Sequence, residues 1–153
     1  MRVPSPEGTG RPDGRLAARV FSPAAGEARY PEGVPVLIWV PGADSRGTLT
    51  EPLPQAADVI RIAFLFPGGC EGPVCSDGTY DHRGQRSIAA LRDVILYAAG
   101  RLPDAAGRTL DEVVPVPTLH DDVGLLGSSN GGNIVVAVAA FYGTELAGYL
   151  RYI

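Results

Sequence analysis

A chain of 153 residues fits one domain and is long enough to bury a substantial core. Its 17 acidic against 13 basic residues leave a net charge of −4, which argues against the clustered positive field that nucleic acid requires. All 13 basic residues are arginine, so a Walker-type phosphate lysine, a Schiff-base lysine and a Ser–Lys dyad are excluded within this chain.

Residues 1–15 are polar and rich in Pro and Gly, show no apolar signal-peptide core, and read as an extended or frayed lead-in. The remainder, 16–153, reads as a single α/β unit. RLAARVFSP (15–23) alternates as a strand on a sheet edge. VPVLIWVPG (34–42) and VIRIAFLFPGG (59–69) are short continuous apolar runs bounded by Pro and Gly, the pattern of strands buried on both faces. Between them, 49–58 forms at most a short, proline-interrupted helix.

A long Gly-, Asp- and Cys-rich loop occupies 67–85. Residues 85–102 carry Ile88, Leu91, Ile95 and Leu96 near helical spacing, with Gly100 just past the end. A polar connection (103–118) leads to the strand VGLL (123–126), a glycine-rich turn, a helix over 131–142 and a last strand over 146–153. Helices between the later strands predict an α/β fold with a mostly parallel sheet and flanking helices. No apolar run reaches the roughly 18 residues of a membrane span, so no membrane segment is expected. The chain stops inside an apolar strand, which reads as a fragment, a processed piece or half of a two-part fold.

Gly127-Ser128-Ser129-Asn130-Gly131 fits G-x-S-x-G and lies between an apolar strand and an apolar helix. Turning from strand to helix so abruptly forces the central residue into a strained conformation, and small residues two before and two after it avoid clashes. Gly132 is expected to let the helix approach the strand. Ser129 then stands near the positive end of the helix, where the Asn130 amide can face a developing oxyanion.

On these residues the sequence resembles the N-terminal half of an α/β-hydrolase-fold serine hydrolase, over roughly 16–153. The resemblance implies an acyl-enzyme on Ser129, with carboxylic esters as substrates and peptides as a second choice. It also implies a second oxyanion amide from the loop Pro41-Gly42-Ala43-Asp44. Ala43 is the chosen donor and Asp44 its neighbour, although Pro41 stands where the family often has His. No cofactor is implied.

The triad partners are missing from their usual places. After Ser129 the sequence holds one carboxylate, Glu145, and no His. Glu145 is expected in a turn at the far end of the elbow helix. His120, with Asp121 and Asp122, is expected in a polar turn at the wrong end of the sheet. His82 lies on the loop leaving the correct end, so Ser129-His82-Asp81 or Ser129-His82-Asp77 is an open non-standard arrangement beside plain solvation of those residues. The alternative source of the base is a second chain or an absent C-terminal half.

Cys70 and Cys75 read as a small disulfide loop or as two free thiols, and a bridge leans the location toward export. Their spacing with His82 is unlike structural zinc sites, so no metal is expected, and a Cys70–His82 nucleophile pair is weak. The competing function is a non-catalytic α/β module or pseudo-hydrolase, whose glycine-rich turn is structural or binds a small anion.

Overall fold

A computed structural model describes residues 1–29, 31–54, 56 and 58–153. Its main sheet contains β1 (Arg2–Pro4), β2 (Arg15–Phe21), β3 (Val34–Val40), β4 (Ile60–Phe64), β7 (Thr118–Gly127) and β8 (Leu150–Tyr152), in the spatial order β1-β2-β4-β3-β7-β8. A separate hairpin pairs β5 (Cys70–Glu71) with β6 (Val74–Cys75). Among the described residues, the helices are α1 (Pro6–Thr9), α2 (Gln85–Ala98), α3 (Asn130–Leu146) and a short 3-10 helix at Leu110–Glu112.

The fold is α/β, as the element pattern predicts. β3 pairs in parallel with β4 and β7, and β7 in parallel with β8. The other end of the sheet departs from the parallel expectation, because β2 runs antiparallel to both β1 and β4. β2 is therefore not the edge strand: β1 covers it.

β1 belongs to the segment expected to be frayed. Val3 is fully buried against the core, the Ser5 amide donates to Gly14 O at 2.8 Å, and Pro6 starts the one-turn α1 where a missing N–H costs nothing. Glu7 of α1 accepts from Arg92 of α2 at 2.8 Å and from the Tyr142 hydroxyl of α3 at 3.1 Å, so three helices share one ion pair.

The core joins Val34, Val36, Ile38 and Val40 of β3 to Leu91, Val94 and Ile95 of α2 and to Ile134, Val135 and Val138 of α3. β3 is covered fully on that face only, since Pro35, Leu37 and Trp39 between these residues are half-buried. Double-sided burial holds for β4, where even Arg61 is 4% exposed. Its guanidinium pairs with Glu51 at 2.6 Å and donates to the carbonyls of Ala56 and Val59.

No helix forms among the described residues of 49–58; Gln55 and Ala57 of that stretch lie outside the described residues, as does Tyr30 of the preceding connection. α2 ends as its sequence indicates. Gly100 takes φ 67°, its amide reaches Tyr97 O at 3.1 Å, and Arg101 N reaches Leu96 O at 2.8 Å, the paired bonds of a Schellman cap. Among the described residues, no helix is long and apolar enough to cross a membrane.

Cys70 and Cys75 form a disulfide across the β5–β6 hairpin. The bridge excludes the free-thiol, zinc and Cys70–His82 readings together. The hairpin also buttresses the chain after β3: Glu71 accepts from Leu49 N at 2.9 Å and from the Thr48 hydroxyl at 3.0 Å. Replacing both cysteines with serine is expected to cost about 2 kcal/mol, the loop-closure entropy of so short a ring. Urea unfolding of the two forms checks it.

Candidate functional site

β7 runs apolar into Gly127, and α3 begins at Asn130, so only Ser128 and Ser129 make the turn. Ser129 takes φ 52° and ψ −123°, a conformation L-residues avoid, and its side chain is exposed without capping α3. The flanking glycines are sterically required. A Cβ on Gly127 would stand 2.6 Å from the Gly131 carbonyl, and one on Gly131 would stand 2.1 Å from Val40 O. The expectation for Gly132 fails. A Cβ there would meet nothing closer than Gly127 O at 3.9 Å, so close packing rests on Gly131.

The loop after β3 lies directly against this turn. A Cβ on Gly42 would stand 2.4 Å from Ser128 O and 2.8 Å from Ser129 Cβ. Ser128 N also donates to Val40 O at 3.1 Å, which extends the β3–β7 register to the turn itself. Ala43 takes φ 51° within a turn closed by Ser45 N on Gly42 O at 3.3 Å. Among the described residues, no backbone bond outside helices and strands uses the Ala43 amide.

Ala43, Asn130 and His82 line one open cavity of about 320 Å³ with Asp44, Tyr80, Arg83, Asn133, Ile134 and Ala137. The fold thus brings three expected site positions together, with Asn130 adjoining Ser129, which is itself not among the lining residues. α3 carries no acidic residue in its first turn, so the positive end of its dipole remains uncompensated there. The lining sets polar and charged side chains beside the apolar Ile134 and Ala137, a combination suited to a small ligand with one polar end.

Neither a protein-family model nor a curated protein sequence matches the chain.

The proposed acid partners of His82 are engaged elsewhere. Asp81 accepts from Arg86 N at 2.7 Å and from the Ser87 hydroxyl at 2.5 Å, capping the start of α2, where Gly84 offers no side chain. Asp77 accepts from Arg15 N at 2.9 Å. His82 itself is exposed, at φ 54°, with its ring 5.1 Å from that of Tyr80. Asp81→Ala is expected to destabilise the protein by about 1–2 kcal/mol through the lost cap, without changing the reactivity of Ser129. Thermal unfolding and serine labelling of the variant, run side by side, separate cap from acid.

The other two candidates move further from the site. β7 begins at Thr118, so His120, Asp121 and Asp122 lie in the strand rather than in a polar turn. His120 contacts Ala98 O at 3.2 Å and Asp111 at 2.7 Å, joining β7 to the end of α2. Seven residues of strand carry the chain from His120 to Gly127, about 23 Å, before the turn to Ser129. Glu145 lies inside α3, not in a turn, about 22 Å along the axis from Asn130.

Sequence reasoning missed Tyr80, Arg83, Asn133, Ile134 and Ala137. Asn133 and Ile134 follow Asn130 by three and four residues, a helical spacing visible in the sequence. Nothing local distinguishes Arg83 from the other arginines.

Proposed function

We propose that this chain carries the nucleophile and oxyanion site of an α/β-hydrolase-type serine hydrolase acting on carboxylic esters, with peptides as a second substrate class. One observation carries the reading: an exposed, non-glycine Ser129 held at φ 52° on a strand-to-helix turn whose flanking glycines admit no side chain. Such a conformation persists where surrounding structure imposes it, and it sets the hydroxyl clear of the chain on either side.

In this mechanism Ser129 Oγ attacks the ester carbonyl carbon and loses its proton to a base. The amides of Asn130 and Ala43 hold the oxygen as it becomes negative. The tetrahedral intermediate collapses, the alcohol departs with the proton, and water repeats the sequence on the acyl-enzyme to release the acid. The base comes from a partner segment or second chain, since His120 is tied to Asp111 and His82 has neither Asp81 nor Asp77 free to orient it. The Cys70–Cys75 bridge supports an oxidising compartment and hence export.

A fluorophosphonate probe tests the reading. Mass mapping is expected to place the adduct on Ser129, most strongly when the base-bearing partner is present. A folded protein that stays unlabelled at Ser129 with that partner supplied favours the competing reading, a non-catalytic module whose glycine-rich turn is structural or binds a small anion.

A further inference from the structure

Arg83 ties the long loop before α2 to the Pro41–Ser45 segment after β3. Its Nη2 donates to Pro41 O at 2.5 Å and to Ser45 O at 3.0 Å. Its guanidinium lies 5.1 Å from the centre of the Phe66 ring, and Tyr80 adds a long hydroxyl contact to Ser45 O at 3.5 Å. Arg83 and the preceding His82 both take positive φ, 66° and 54°, so the backbone is bent out of its preferred regions where it delivers this side chain.

A purely stabilising role fits poorly. Nε and Nη1 of Arg83 are buried with no hydrogen-bond partner, and burying unpaired donors on a cation is unfavourable. What the contacts do achieve is directional. Pro41 O and Ser45 O turn toward Arg83 while Gly42 O accepts from Ser45 N. Three carbonyls of the loop are thereby engaged. The Ala43 amide, trans to the Gly42 carbonyl across a planar peptide, points away from the side on which that carbonyl accepts from Ser45 N. Gly42 meanwhile sits in backbone contact with Ser128 and Ser129.

We propose that Arg83 is a positioning residue, clamping the Pro41–Ser45 loop against the Ser129 turn so that the Ala43 amide is presented with that of Asn130. The clamp stands on the contacts above; its catalytic consequence rests on the hydrolase reading.

Arg83→Met keeps an unbranched apolar side chain and removes both carbonyl contacts, while Arg83→Lys can restore one. Hydrogen exchange of 42–45, the melting temperature, and the rate of fluorophosphonate labelling at Ser129 are read together, with the base-bearing partner supplied. For Arg83→Met, exchange confined to this loop is expected to quicken about 10-fold. Labelling is expected to slow about 100-fold, the effect of losing or misplacing one oxyanion donor. The melting temperature holds within a few degrees, and Arg83→Lys is intermediate in both rates. Unchanged exchange in the loop overturns the clamp. Quickened exchange with unchanged labelling overturns its catalytic role. A fall in labelling matched by faster exchange across the whole sheet overturns it too, since that is loss of stability alone. If the parent protein is unlabelled, the hydrolase reading fails separately, and loop exchange still decides the clamp.

Discussion

Ser129→Ala is expected to abolish fluorophosphonate labelling and to lower ester hydrolysis about 10³-fold or more, because it removes the hydroxyl assigned to the covalent step. The same change should leave stability within about 0.5 kcal/mol, since the side chain is exposed and makes no capping bond to α3. Ser129→Gly sharpens the point. Glycine accepts φ 52° freely, so it should raise stability by about 1 kcal/mol after the added freedom of its unfolded chain is subtracted. A variant that is dead yet more stable marks a residue held in its conformation for chemistry. Hydrolysis retained by Ser129→Ala would remove Ser129 from the mechanism, and lower stability in Ser129→Gly would show the turn to be unstrained. Urea unfolding and a chromogenic ester assay measure both.

Neighbouring glycines should respond with opposite signs. Gly131→Ala places a methyl group 2.1 Å from Val40 O and 2.9 Å from Pro41 O, both backbone atoms that cannot swing aside. Alanine is worth about 1 kcal/mol over glycine in a helix, but forcing β3 and α3 apart costs more, for a net loss of about 3 kcal/mol. The Ala43 loop is displaced with it, so labelling of Ser129 should fall as well. Gly132→Ala, one residue later, meets nothing within 3.4 Å and keeps the helical gain, raising stability by up to about 1 kcal/mol. Paired thermal melts decide the matter. Equal effects at the two positions would mean that the strand–helix approach is not as close as described.

How much of this was legible beforehand depended on distance along the chain. The turn at 127–131 declared itself through glycine spacing, because the clash it avoids is with residues a few positions away or on the adjacent strand. The Gly100 cap was legible for the same reason. The apolar run of β3 marks a strand but not its half-open face, since such a run does not reveal which layer is absent. β7 starts five residues before its apolar run: Thr118 and Val123 pair with Val34 and Val36 of β3, the residues between them bulge out of register, and His120 among them reaches Ala98 O and Asp111. The N-terminal segment looked loose because its partner, β2, supplies the ordering.

The sequence by itself determined the α/β class, the strand–turn–helix around Ser129 and the glycines that make it possible, since these follow from local apolar patterning and from sterics at short range. Only the tertiary structure decided which groups meet there. Long-range pairing laid the Ala43 loop against Ser128, assigned Asp81 to the α2 cap instead of to His82, and brought Arg83 across 42 residues to Pro41. Contacts of that span depend on the closure of the whole sheet, and no local pattern of residue types encodes them.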